Sequence, residues 1–309
     1  MSNPTPAVLR LTAFASEASG GNPAGVVLDA SALSEPEMQR IAADIGYAET
    51  AFITRPATPA APSRVGIRYF TPTAEVPFCG HATIATAVAL ATRDDLDELI
   101  FETQIGEVRI DIQQTDAGTL ASFTSVEPHV DPIDETVLAR LLSLLRTKAP
   151  ADAPTSADPA TTLSADPATT VTTADLHPSY PPRLAFAGNT HPVIVLADRI
   201  LFDGFTFDPD AMRSLMDEQG WAGTVTILHV INPAEFEARN LFPVGTMDED
   251  PATGSAAASV GAYLRELGLV GVPQRISIRQ GRHVGRPSLL VVDIAEQGGI
   301  VVSGTATVI

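Results

Sequence analysis

Apolar and polar positions along this chain follow two periods, one of strands and one of helices, and their order is laid out twice. Residues 21–29, Gly-Asn-Pro-Ala-Gly-Val-Val-Leu-Asp, set a β-branched run directly after a Gly-Asn turn, and residues 188–198, Gly-Asn-Thr-His-Pro-Val-Ile-Val-Leu-Ala-Asp, do the same. A helical pattern follows each. In the first half Ser34 stands as N-cap, Glu37 completes a capping box, and Gly46 stops a helix that runs to Ile45; in the second the helix covers Asp208 to Glu218 and stops at Gly220. Strands are predicted next over Val65–Phe70, and over Thr224–Ile231 and Glu235–Asn240.

Each half then reaches a helix made of small residues and entered through a glycine. The first reads Cys79-Gly-His-Ala-Thr-Ile-Ala-Thr-Ala-Val-Ala-Leu-Ala, the second Thr253-Gly-Ser-Ala-Ala-Ala-Ser-Val-Gly-Ala-Tyr-Leu. A helix with no polar face predicts burial on all sides, which a sheet wrapped round it would supply. More strands follow, over Glu107–Gln113 in the first half and over Arg275–Gln280, Ser288–Asp293 and Gly299–Val308 in the second. Helices and strands do not alternate one for one. The pattern therefore predicts an α+β, mixed α/β fold rather than a doubly wound parallel sheet.

Composition narrows the setting. With 309 residues and 45% hydrophobic content the chain is long enough for two cores. It contains no run of twenty apolar residues, and Met1-Ser-Asn-Pro-Thr-Pro lacks the basic and apolar regions of an export signal, so a cytoplasmic protein is expected. The net charge of −18 repels phosphates and anionic surfaces, which leaves nucleic acid and membranes as unexpected partners. One cysteine, Cys79, excludes an internal disulfide and a Cys-rich metal site. Between 149 and 177 the chain turns to Ala, Pro, Thr, Ser and Asp, with Ser-Ala-Asp-Pro-Ala-Thr-Thr at 156–162 repeated at 164–170. This stretch offers no apolar face and is expected to be a flexible insertion. Asp-Pro-Ala-Thr occurs at 158, 166 and 250, and only the third copy leads into Gly-Ser and a helix.

Candidate chemistry gathers at the two matching helix starts, Gly80-His81 and Gly254-Ser255. Free amides at the positive end of a helix dipole make a cradle for a carboxylate, and glycine lets a ligand come close. His81 would flank one cradle, Asp250 and Ser255 the other. Read residue by residue, these positions also fit a packed helix start, a satisfied imidazole, a turn aspartate and a cap. Glu49 lies between a helix stop and an apolar strand, where burial could raise its pKa into the range of a general acid and base, or where it could be a solvated loop residue. Phosphate-loop, dinucleotide, zinc-protease and nucleophile-elbow motifs are absent, and the six histidines are scattered. No cofactor and no metal are expected.

Five segments in order, Gly21-Asn-Pro-Ala-Gly-Val-Val, Ala48-Glu-Thr-Ala-Phe, Tyr69-Phe-Thr-Pro-Thr-Ala-Glu-Val-Pro-Phe-Cys-Gly-His-Ala-Thr, Gly188-Asn-Thr-His and Glu249-Asp-Pro-Ala-Thr-Gly-Ser-Ala, resemble the PhzF-like phenazine-biosynthesis proteins. The resemblance covers almost the whole chain apart from 149–177. It implies the diaminopimelate epimerase fold: two pseudo-symmetric domains, each a curled β-sheet around a central helix, with the site between them. The halves would span 1–128, completed by the strand 299–309, and 129–298. It implies a cofactor-independent proton-transfer isomerase similar to trans-2,3-dihydro-3-hydroxyanthranilate isomerase, acting on a small anionic substrate, and a homodimer. Glu49 would carry the proton, His81, Asp250 and Ser255 would orient substrate, and the amides of Gly80-His81 and Gly254-Ser255 would bind its carboxylate. Related epimerases use two facing thiols; here the matching positions are Cys79 and Thr253, which disfavours a symmetric two-base inversion. An epimerase or dehydratase of another small carboxylate, or a non-catalytic metabolite-binding protein, remain alternatives.

Overall fold

The structure is a computed structural model that describes residues 6–61, 63–116, 118–147, 169–243 and 247–309. Its helices are α1 (Glu35–Ile45), α2 (Gly80–Asp94), α3 (Glu135–Leu144), α4 (Arg199–Gly204), α5 (Pro209–Gln219) and α6 (Gly254–Glu266). Local signals set the ends of the predicted ones. Glu37 accepts the Ser34 amide at 2.8 Å to close the capping box of α1, and Gly46 ends it in the left-handed region at φ 71°. Asp208 caps α5 through the Ala211 amide at 3.1 Å, and Gly220 stops it at φ 67°. The two small-residue helices are buried as expected, α2 continuously from His81 to Val88 and α6 from Ala256 to Leu264.

A ring of strands surrounds α2. Leu9–Ala13 pairs with Asn22–Val27, which runs parallel to Glu49–Arg55; then come Arg64–Phe70, Glu98–Thr103, Gly106–Thr115 and Gly118–Thr124. The last strand of the chain, Val301–Val308, pairs with both Gly118–Thr124 and Leu9–Ala13 and closes the ring. A second series, His129–Pro132, Arg183–Phe186, Thr190–Val195, Val225–Asn232, Glu235–Leu241, Gln274–Gln280 and Ser288–Ile294, curls against α6. Starting from Val301–Val308 in the first series and from His129–Pro132 in the second, the pairings run antiparallel, antiparallel, parallel, antiparallel, parallel, antiparallel and antiparallel in both. The duplication read in the sequence is thus a duplication of strand topology. The two series are not separate sheets, because Val301–Val308 also bonds to Ser288–Ile294 and joins them into one hydrogen-bonded network.

Part of the expected insertion needs correction. Residues 149–168 lie outside the described residues, but the rest of the 149–177 stretch is built into the protein. Thr169–Thr170 pairs with Leu145–Thr147, which pairs with Phe205–Phe207 in a small separate sheet. Val171 is 2% exposed in a cluster with Leu145, Phe205 and Met212, and the His177 amide reaches the Val195 carbonyl at 2.8 Å. One valine on an otherwise polar run is enough when backbone pairing supplies the remaining bonds. Among the described residues no helix is long and apolar enough to cross a membrane.

Candidate active site

The topology sets α2 and α6 nose to nose. A Cβ on Gly80 would lie 3.5 Å from the Gly254 Cα, and one on Gly254 would press to 3.0 Å from the Phe123 ring. The Gly254 position is thus tight against the Phe123 ring, whereas Gly80 lies at ordinary contact distance from the facing helix start. The first turn of a helix leaves its amides without intrahelical partners, so two positive helix ends converge on one place. They border a cavity of about 640 Å³ that also reaches Tyr47, Glu49, Cys79, His191 and Asp250. Among the described residues that line it, Arg286 is the only Lys or Arg, and its guanidinium is committed to the carbonyls of Gly20 at 3.1 Å and Gly21 at 2.6 Å. Helix-start amides are groups that can meet an anion in such a cavity.

Glu49 is the first residue of its strand, where the parallel pairing of Ala24 with Glu49 fixes it beside the Gly-Asn turn. Its side chain is 17% exposed, with Oε2 at 3.3 Å from His81 Nε2. Burial, and then the charge of Asp250, raise its pKa to about 8, against a smaller lowering by a bond from Cys79. Burial lowers His81 to about 3, partly offset by the Pro23 carbonyl accepting an imidazole N–H. The Glu49–His81 contact is accordingly one between largely neutral groups near pH 7. Asp250 rises to about 6 by burial, opposed by bonds from the Thr253 hydroxyl at 2.5 Å and the Asn22 amide at 2.7 Å. Two carboxyls with separated pKa values share the site, one mainly protonated and one mainly ionised at neutral pH, the division that acid and base chemistry needs.

All eight residues singled out in the sequence, Glu49, Cys79, Gly80, His81, Asp250, Thr253, Gly254 and Ser255, line this one cavity. Asp250 departs from the turn reading: it belongs to the short strand Glu249–Asp250 and pairs with Asn240. Three partners escaped the sequence reading. Asn22 crosses between the two strand series, its Nδ2 lying 2.7 Å from Asp250, 3.1 Å from the Ala252 carbonyl and 3.1 Å from His81 Nδ1. Gln280 holds the Asp250 carbonyl at 2.6 Å and the Thr253 hydroxyl at 3.0 Å. His191 Nε2 lies 3.0 Å from Ser255 Oγ. Asn22 and His191 sit in the two matching Gly-Asn segments, which was a usable signal; nothing in the sequence around Gln280 points to the site.

The thiol of Cys79 lies 3.4 Å from His81 Nδ1 and is pushed up well above its ordinary value by burial and then by the charge of Glu49. The hydroxyl of Thr253 is committed to Asp250. Glu49, Cys79 and His81 bring one donor atom each within 4.8 Å of one another, a mixed set able to meet a metal ion that the scatter of histidines along the chain does not foreshadow. A second such group, Asp203, Glu237 and His283, has its carboxylates occupied by Arg199 and Arg282.

This architecture and site place the chain in a known family of enzymes. The profile of the phenazine biosynthesis-like protein family matches residues 11–309, and the chain belongs to that family. It is 30% identical to the uncharacterized isomerase YddE of Escherichia coli strain K12, over 98% of this chain and 96% of that one. It is 29% identical to the trans-2,3-dihydro-3-hydroxyanthranilate isomerase of Pseudomonas chlororaphis, over 91% of this chain and 87% of that one. The crystal structure of a predicted epimerase from Pseudomonas aeruginosa superposes with a TM-score of 0.77 at 25% identity, covering 98% of this chain and 96% of the other. The protein is an enzyme of the isomerase class, with relatives so named along nearly its full length.

Proposed function

We propose that this protein moves a proton between carbons of a small cyclic carboxylate similar to trans-2,3-dihydro-3-hydroxyanthranilate, without a cofactor, and that Glu49 carries the proton. The observation behind this reading is the largely buried carboxyl of Glu49 lining the cavity that two helix N-termini border, where burial raises its pKa to about 8. The substrate carboxylate lies against the amides of Gly80-His81 and Gly254-Ser255, which fixes the ring with a C–H bond toward Glu49. In its ionised form Glu49 takes that proton, becomes the neutral acid its surroundings favour, and returns the proton at a second carbon. Neutral His81 keeps the carboxyl aimed, and Asp250 and Ser255 hold polar groups of the substrate. The negative charge that develops on the ring is met by helix ends and fixed dipoles.

A two-thiol stereoinversion is disfavoured by the same geometry, since Thr253 replaces the second thiol and donates its proton to Asp250. In this reading the chain divides into halves at 128/129, with 299–309 completing the first; the repeated order of strand pairings supports that division. The test is proton NMR in deuterated water with trans-2,3-dihydro-3-hydroxyanthranilate. Wild type is expected to turn the compound over and place deuterium at a ring carbon, and Glu49→Gln to be slower by about 10²-fold or more. Equal rates for the two proteins would remove Glu49 from the chemistry.

A further inference from the structure

Behind Ser255 lies a buried chain of polar groups. His191 is fully buried, and its two ring nitrogens face different partners. Nε2 lies 3.0 Å from Ser255 Oγ at the start of α6. Nδ1 is gripped by Thr224, 3.0 Å from both its backbone nitrogen and its carbonyl oxygen and 3.1 Å from its hydroxyl. The grip continues into the sheet, because Asn240 Oδ1 accepts the Thr224 hydroxyl at 2.7 Å and the Thr226 hydroxyl at 2.6 Å. Gly223 makes this approach feasible, since a Cβ there would fall 2.5 Å from the imidazole Cε1. A serine hydroxyl at a cavity wall rotates freely unless a neighbour takes one of its hydrogen-bonding directions. An imidazole locked at its far nitrogen is such a neighbour.

We infer that His191 is a positioning residue that fixes the hydroxyl of Ser255 in the orientation that meets a polar group of the substrate beside the amides of Gly254-Ser255. The inference rests on the carboxylate cradle proposed above and assigns its second half a support reaching from Asn240 through Thr224 and His191. The first half has a different arrangement. Strand register matches Glu49 with Thr224: Thr50 pairs with Phe70 and Phe70 with Glu75, just as Val225 pairs with Leu241 and Leu241 with Glu249. The position that carries the proton-transferring carboxyl in one half thus holds the clamp on His191 in the other. This divides the cleft into a reacting side and a binding side.

The experiment is a double-mutant cycle on turnover of trans-2,3-dihydro-3-hydroxyanthranilate, joined to NMR of isotope-labelled imidazole nitrogens. His191→Asn removes the reach to Ser255 and is expected to raise KM about tenfold, one hydrogen bond's worth, with kcat changed by less than about threefold. In a Ser255→Ala background the same substitution is expected to change KM by less than about twofold. His191→Gln, whose amide nitrogen falls near the place of Nε2, is expected to recover most of the loss. Additive effects in the cycle, or equal damage by Asn and Gln, would reduce His191 to a packing residue and overturn the inference. Silence of Ser255→Ala alone would also overturn the inference, because the hydroxyl would then not meet the substrate, while the amide cradle, which alanine keeps, would stand. The NMR arm needs no turnover: Ser255→Ala is expected to move the His191 Nε2 resonance and leave Nδ1 in place. An unmoved Nε2 signal would refute the contact even if the compound proves not to be a substrate.

Discussion

At the residue scale the account depends on one carboxyl and what surrounds it. Glu49 is an acid whose pKa stands at about 8 in the folded protein against 4.5 as its ordinary value. The folded state keeps a proton that the unfolded chain has already released, so this group costs stability as pH rises from about 4.5 through about 8 and costs nothing extra below 4.5. Glu49→Gln keeps the shape and removes the cost. At roughly 1.4 kcal/mol per pKa unit, discounted for the partial exposure of the side chain, the variant is expected to gain about 2 kcal/mol at pH 8.5 and little at pH 5. Thermal melts of the two proteins at both pH values check this; equal midpoints at pH 8.5 would mean that the carboxyl is not held protonated. Which glutamate is buried was not legible in the sequence, because Glu49 follows a helix stop like many solvated residues do. Only the resemblance of Ala48-Glu-Thr-Ala-Phe to a family segment singled it out. Asn22 was marked only by its place in the repeated Gly-Asn turn; its partners Asp250 and Ala252, more than two hundred residues away, were not.

Among elements, the decisive pair is α2 and α6, and both were readable because small residues on every face of a helix admit no other reading than enclosure. Their meeting at Gly80 and Gly254 was not readable, since it depends on how the two strand series join. The structure predicts unequal tolerance at these glycines. A Cβ on Gly80 finds ordinary contacts at 3.5 Å, whereas one on Gly254 meets the Phe123 ring at 3.0 Å and forces it to move. Gly254→Ala is expected to cost about 1–3 kcal/mol of stability and Gly80→Ala less than about 1 kcal/mol. Denaturant titration of both variants tests the ranking, and a larger loss at Gly80 would contradict the helix-to-helix geometry. The helices α3 and α4 and the strands Leu9–Ala13, Glu98–Thr103, Gly118–Thr124, His129–Pro132 and Arg183–Phe186 were missed. Of these, α4 is a short six-residue helix, and His129–Pro132 and Arg183–Phe186 span four residues each, so their hydrophobic periods barely repeat and their pairing partners define them.

For the whole molecule, the strand Val301–Val308 is what makes two repeats into one body. It closes the ring round α2 and at the same time bonds to Ser288–Ile294 of the other series. Val302 and Gly304 are buried there, and a side chain at Gly304 would collide with the Phe14 ring at 2.2 Å. Truncation after Ile300 is expected to leave both series with open edges and to abolish cooperative folding, read as loss of a sigmoidal melt and of soluble yield. A soluble, cooperatively melting truncated chain would contradict the closed ring.

The most direct test of the proton-transfer claim is the pH dependence of kcat/KM for trans-2,3-dihydro-3-hydroxyanthranilate in the wild-type enzyme. In the proposed reaction the chemistry starts from ionised Glu49, whose carboxyl burial and the charge of Asp250 push up to about 8, so kcat/KM is expected to rise with pH and level off above an inflection near 8. A profile that is flat from pH 5 to 9, or that turns near an ordinary carboxyl pKa of about 4.3, would show that the proton does not pass through this buried glutamate.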